Sequence, residues 1–519
     1  MKRSSNNSSP RHQKIRSLFT NQTLIQSRLL VIERHAELQI SSSETPPEAV
    51  GSPTDPGEDV ANADWQLGHL TGRQVMGLSI ASFVPAVGLA QVPAYLAAYS
   101  GRSSWLAMAA SVVAFTIVGL FITVFARRFI GTGSLYSYIR HVFGSWSTLV
   151  IAAAMIPGYI VAIMSLIVGV GVFFGSFLVS VGVPNAAGPG IQLMIYLFAA
   201  LVAMAIAYRG IDLSVRSSVI LTAVSLPVML IITIATALGG NVDLAGQFSL
   251  DDFTFSSFLQ GLAIGSAYFI GFEGSAALGA ETKNPHRNIP RAIIVIPVGV
   301  GLFYLIGTVI QAPTLVDAAD KLALGISPNA VLAEAAGVGF LSNISDLILA
   351  VAIFASLIGF FNYGSRVVVS AASDGLMPSA LTRISKRYKS PKAAIIVLGV
   401  PSLIGPALLL WLTPASPLEI NGYIATLLVY FWVIPYFLIC IGGAVLLNRT
   451  PSGKSLVVNV GAVLASSTVL WLYLNGIINP GPAPLNALPY IMIGTVGVFL
   501  IALAVSVRSK RTTKRPWQP

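Results

Sequence analysis

YFIGFEGSAALGAETKNPHRNIPRAI, residues Tyr268–Ile293, places one carboxylate, Glu273, at the end of a stretch that carries no other charge back to Phe253. A charge inside an apolar span is costly, and intramembrane acids mark substrate or proton paths. Gly265, Gly271, Gly274 and Gly279 fall within 15 residues around Glu273. That density of glycine suits a helix that unwinds at mid-membrane and offers bare backbone groups to a solute. A charged loop comes next, in which Glu281 is expected to pair with Lys283 or Arg287.

Composition outside this segment sets the class. Of 519 residues, 55% are hydrophobic and only 10% charged, against about 25% charged in soluble domains, and the mean hydropathy is +0.77. The chain reads as an all-α polytopic membrane protein. Ten uncharged stretches approach or exceed the roughly 20 residues that one crossing needs. Two are too long for a single crossing: Val142–Tyr208 breaks at VPNAAGPG (Val183–Gly190), and Ser455–Val507 breaks at NPGPAPLNALP (Asn479–Pro489). Clustered prolines and glycines stop helices there, which predicts twelve spans. The region Pro313–Asp346 is open to a short re-entrant or peripheral helix.

A net charge of +11 raises the question of a nucleic-acid partner. Placing both termini in the cytoplasm puts 29 of the 31 Lys and Arg residues on the inner side, with Arg102 and Lys321 outside. The positive-inside rule therefore accounts for the charge, and the bilayer, not a nucleic acid, is the expected partner. Residues 1–72 are polar and rich in Ser and Pro, as disordered tails are, with a stretch over 15–40 that reads either as tail of weak helical tendency, the favoured reading, or as an amphipathic helix on the inner leaflet. The expected layout is a transport core over 73–447, two peripheral spans over 448–507 and a basic tail over 508–519. Cys440 is the only cysteine and the five histidines sit in tails or at membrane edges, so neither a disulfide framework nor a metal or haem site is expected. No cofactor motif or hydrolytic motif is present, and an enzyme is not expected.

The segment GFEGSAALGAETKNPHRNIPRAI (Gly271–Ile293) resembles the sixth helix and following loop of the amino acid-polyamine-organocation permeases. FARRFIGTGSLYSYIRHVFG (Phe125–Gly144) is similar to that family's loop between helices two and three. NYGSRVVVSAASDGLMPSALTRISKRYKSP (Asn362–Pro391) is similar to its loop after helix eight. The resemblance runs from about Gly77 to the tenth span. It implies a leucine-transporter-like fold of five plus five helices in inverted repeat, with two peripheral helices, at the plasma membrane. Helices one and six would both be broken at corresponding places. In SFVPAVGLAQVP (Ser82–Pro93), Pro85 and Gly88 supply the first break, and Ala86, Val87 and Gly88 stand where the family often has Gly-Ser-Gly. The bulkier Ala86 and Val87 leave less room around a bound carboxylate.

The resemblance and the residues together point to a secondary active permease for an amino acid or related amine. The expected binding residues are Pro85, Ala86, Val87 and Gly88 on span one, Phe269, Ile270, Gly271 and Phe272 on span six, and Tyr159 on span three. Glu273 would exchange a proton, or else be a structural acid tied to backbone amides or to a hydroxyl such as that of Tyr268. Many relatives carry a lysine in span five, and that position falls near Ser225. With Ser356 and Asn362, Ser225 forms a candidate cation site. The balance favours a proton over sodium as coupling ion. An amino acid exchanger, or a transporter-fold sensor without net transport, is the alternative.

Overall fold

The computed structural model describes residues 67–513 apart from 240–244, 246–247, 249, 251–252, 324–326, 414 and 450–454. The tail over 1–66, with its stretch over 15–40, and the end of the basic tail beyond 513 lie outside the described residues. Among the described residues the chain is helical without strands, and Leu70 and Thr282 form one isolated bridge. Ten helical stretches are long and apolar enough to cross a membrane.

The first of these stretches, Gly72–Ala126, is 55 residues long and contains three helices. Helix α1 (Gly72–Ser82) starts at a capping box in which Thr71 and Gln74 satisfy each other's backbone amides. It stops at Val84, whose φ of 47° and ψ of 62° are left-handed, and α2 (Pro85–Ser100) begins with Pro85 in its first turn. The expected break is therefore real, but it lies just ahead of Pro85 and not around Gly88. Helix α3 (Ser104–Ala126) comes after a 3-10 turn.

The short α4 (Leu135–Phe143) leads into α5 (Ser145–Ser180), whose 36 residues span about 54 Å. Next come α6 (Pro189–Tyr208), α7 (Ile211–Leu238) and α8 (Phe255–Ala267). After α8 the chain leaves the α conformation until α9 (Pro285–Val295), which continues through a π turn into α10 (Gly301–Asp317). Pro313–Asp346 does hold short helices, α11 (Ala319–Ala323) and α12 (Pro328–Ala335). The remaining helices are α13 (Ser342–Ser373), α14 (Lys392–Leu412), α15 (Pro417–Asn448), α16 (Ser455–Ile478) and α17 (Leu488–Thr513). The last one carries six residues of the expected tail in its final turns.

Helix α5 packs against both α13 and α15, while α1 lies on α9 and α2 on α10. Glycines permit the closest approaches, as small residues do between membrane helices. A Cβ on Gly158 would meet the Trp432 ring at 2.9 Å, and one on Gly364 would meet Tyr159 at 3.0 Å.

The three segments that carry the family resemblance come together at one end of the bundle. Tyr136 and Arg140 both donate to the Asp374 carboxylate, Thr132 bonds Ser370, and Gly131 lies under Gly279. Leu70 is threaded alongside through bonds to Glu281 and Lys283 backbone groups. The packing at this end corrects one expectation. Glu281 does not pair with its neighbours Lys283 or Arg287. It takes two bonds from Arg366, Nε at 2.6 Å and Nη2 at 3.0 Å, and both side chains are 2% exposed. Removing two charges from water is tolerable only with such fork-to-fork geometry, and a guanidinium arriving from α13 provides it where surface side chains would not.

Candidate functional site

The first break exposes backbone polar groups that other helices then address. The Ser82 carbonyl accepts the Ser356 hydroxyl from α13, and the Phe83 carbonyl accepts the Tyr304 hydroxyl from α10 at 3.1 Å. Gly88 is required by this contact, because a Cβ there would sit 2.1 Å from the Tyr304 ring. Of the candidate amides, those of Val87 and Gly88 already bond the Val84 carbonyl at 3.0 and 3.1 Å.

The second break runs from Tyr268 to Glu273. Bonding there falls back to three-residue turns: Phe269 to Ser266, Ile270 to Ala267, Phe272 to Phe269 and Gly274 to Gly271. Gly271 has φ +86°, open to glycine without a Cβ penalty, and a Cβ there would lie 3.1 Å from Phe360. Its N–H donates to the Tyr436 hydroxyl at 2.7 Å. Phe360 is one turn beyond Ser356 on α13, so one helix face touches both breaks. Tyr268 reaches the Gln91 side chain of α2 at 3.4 Å.

Glu273 is fully buried. Its carboxylate accepts Trp432 Nε1–H at 2.9 Å and the Tyr436 hydroxyl, both from α15. The tie is thus to Tyr436 and not to Tyr268. Among the described residues no Lys or Arg pairs with this carboxylate. Phe115, Phe269, Phe272 and Tyr436 form an aromatic cluster joined to the carboxylate through Tyr436, with centroids 5.3–6.1 Å apart for the pairs in contact. Tyr159 stands edge-on to Trp432 at 5.1 Å and beside Phe360 at 6.2 Å. Its hydroxyl is buried and finds no partner among the described residues, as is also true of Ser275.

The expected binding residues Pro85, Ala86, Val87, Phe269, Ile270, Phe272 and Tyr159 are all buried. The centre is closed in this conformation. The three candidate cation-site residues are not drawn together by their bonds: Ser356 reaches Ser82, but Ser225 bonds Thr222 and Asn362 bonds Ile358, each within its own helix. Sequence reasoning passed over Trp432, Tyr436, Phe115, Phe360, Tyr304 and Ser275. A signal for the first two was present, because Trp432 and Tyr436 are polar-tipped aromatics one helical turn apart in an apolar span.

A polytopic helical membrane protein with a closed centre built on two interrupted helices is the class these features define. The family model for amino acid permeases matches residues 70–501, and the chain belongs to that family, within the amino acid-polyamine-organocation superfamily. It is similar to the branched-chain amino acid permease BcaP of Bacillus subtilis (strain 168), at 26% identity over 284 residues, 53% of this chain and 60% of that protein. BcaP of Lactococcus lactis subsp. cremoris (strain MG1363) is 26% identical over 279 residues, 49% of this chain and 57% of that one. The D-serine/D-alanine/glycine transporter of Escherichia coli (strain K12) is 27% identical over 183 residues, 34% of this chain and 38% of its own length. The chain thus spans at most 60% of the length of these relatives.

Proposed function

We propose that the protein is a secondary active transporter that carries an amino acid with an uncharged side chain across the plasma membrane by alternating access, in symport with a proton. The observation that carries the reading is the meeting of both helix breaks on one face of α13, through Ser356 and Phe360. Discontinuous helices at mid-membrane are where transporters bind solute. The substrate carboxylate would lie at the N-terminus of α2 near the Ala86 amide, where the helix dipole favours an anion. Its amine would meet the carbonyls of Ile270 and Phe272, and its side chain would face Val87, Ile270 and Phe360. The substrates named for the relatives support an amino acid of modest size.

In this reading the crossings number twelve, with Gly72–Ser100 and Ser104–Ala126 counted separately and the interrupted Phe255–Leu278 counted as the sixth. Helices one to five and six to ten form the inverted repeats of a core over 73–447, and two peripheral helices complete the chain over 448–507. The tails over 1–72 and 508–519 face the cytoplasm. Glu273 serves as the proton carrier: a buried carboxylate with only neutral donors is costly as an anion, and a proton removes that cost. Ser225, Ser356 and Asn362 act as helix contacts and not as a sodium site.

Uptake of radiolabelled neutral amino acids into proteoliposomes tests the assignment. The expected result is saturable uptake of at least one of them, lost in Gly271→Leu although that variant inserts and elutes as wild type. Wild-type uptake in Gly271→Leu would place the substrate elsewhere.

A further inference from the structure

The loop between α13 and α14 carries Arg383, Lys386, Arg387 and Lys389, with Lys392 opening α14, and it packs on the end of α6, where Arg209 follows Tyr208. This is a built surface and not a slack loop. Ser390 Oγ donates to the Tyr208 carbonyl, and the amides of Ser385 and Lys389 bond Ser390 and Ser385 at 2.9 and 2.8 Å. Gly210, at φ +111°, lets the chain pass the Tyr388 carbonyl, which a Cβ would meet at 3.0 Å. The Tyr208 and Tyr388 rings stand edge to face at 5.2 Å, with Lys392 over the first at 5.7 Å and Arg387 over the second at 5.1 Å.

Acids near this end are engaged elsewhere: Asp374 by Arg140 and Tyr136, and Asp212 by His69 at 3.2 Å. Among the described residues none of Arg209, Arg383, Lys386, Arg387 and Lys392 forms an ion pair. Helix α14 also begins at Lys392, so the positive end of a 21-residue helix and its first amides add to the same field. Beside this patch, a shallow cavity of about 310 Å³ runs along the outer face of α6, walled by Leu201, Val202, Ala205 and Ile206 and ending at Arg209.

We propose that this is a binding site for an anionic phospholipid. The phosphate is held between Arg209, Lys392 and the start of α14, and one acyl chain lies in the groove along α6. Cationic clusters next to a membrane span recognise anionic lipid, with each cation contributing about fivefold in affinity. The groove explains why a lipid and not a free anion is the occupant: it joins an apolar wall of Leu201, Val202, Ala205 and Ile206 to a cationic end at Arg209. The site is distinct from the substrate centre and stands whether or not the transport reading holds.

The test uses the purified full chain in detergent, with lipid retention read by native mass spectrometry. Phosphatidylglycerol is compared with phosphatidylcholine of identical acyl chains. Wild type is expected to retain phosphatidylglycerol preferentially, and less so as salt rises. Arg209→Gln with Lys392→Gln is expected to weaken that retention about 25-fold, while Arg449→Gln, an exposed cation elsewhere, leaves it unchanged. Ala205→Trp, which fills the groove, should weaken retention of the long-chain lipid. Equal retention of the two lipids by wild type, or unchanged retention in the double variant, overturns the proposal. Displacement by glycerol 3-phosphate at concentrations matching the lipid overturns it too, since the site would then read a soluble anion. The substituted residues are exposed, and melting in phosphatidylcholine alone verifies that each variant is folded.

Discussion

Glu273→Gln separates a proton carrier from a structural acid. The native carboxylate offers two oxygens, one to Trp432 Nε1–H and one to the Tyr436 hydroxyl. Glutamine keeps one carbonyl oxygen and replaces the other with an NH2 group that cannot accept. One of the two α15 donors is then left buried without an acceptor, which costs about 1–3 kcal/mol. Tyr436 can turn its hydroxyl and accept from the new NH2, as it already accepts from the Gly271 amide, so the lower end of that range is expected for stability.

The effect on transport is larger in kind. With one proton per substrate, each pH unit across the membrane supports about tenfold accumulation, equal to about 1.4 kcal/mol. A gradient of two units therefore drives about hundredfold accumulation in wild type, and Glu273→Gln loses it because no titratable group remains at that position. Exchange of labelled for unlabelled substrate should survive, since the breaks around Val84 and Gly271 are untouched. The assay is uptake into proteoliposomes with internal pH held at 7.5 and external pH varied from 5.5 to 7.5. Gradient-driven accumulation in Glu273→Gln equal to wild type would refute the reasoning. Loss of thermal stability alone would make Glu273 a structural acid.

Two further outcomes rest on the same helix packing. Glu281→Gln should destabilise the protein by about 3–5 kcal/mol, because the Arg366 guanidinium is left buried with half its partner gone. The double variant Glu281→Gln, Arg366→Met should recover much of that loss in a thermal melt, and no recovery would show that the pair acts through more than charge balance. For topology, cysteines introduced at Asp317 and at Lys386 should label from opposite sides of the membrane, against a silent background because Cys440 is buried. Labelling of both from one side would undo the inward placement of basic residues.

Apolar runs, glycine and proline act over a few neighbouring residues, and what depends on them was legible along the chain. The membrane class, the turn after Ser180, the break near Pro85 and the unwinding at Gly271 all obey local rules, and so does the burial of Glu273 in an apolar span. The bond partners do not. Trp432 lies 159 positions from Glu273, Tyr304 lies 221 from Phe83, and Arg366 lies 85 from Glu281. Pairing Glu281 with Lys283 or Arg287 was the natural local reading, and it failed because a buried carboxylate needs a partner that is buried with it, which only the packing of α13 against the loop after α8 brings into place. Gly88 was expected beside a ligand from its place in span one, and only the fold shows that it also makes room for the Tyr304 ring. Local chemistry thus determined where the backbone opens and where a charge is hidden. Packing of distant helices decided which side chains meet those points, because each contact depends on the relative position and rotation of two helices that no short stretch of sequence specifies.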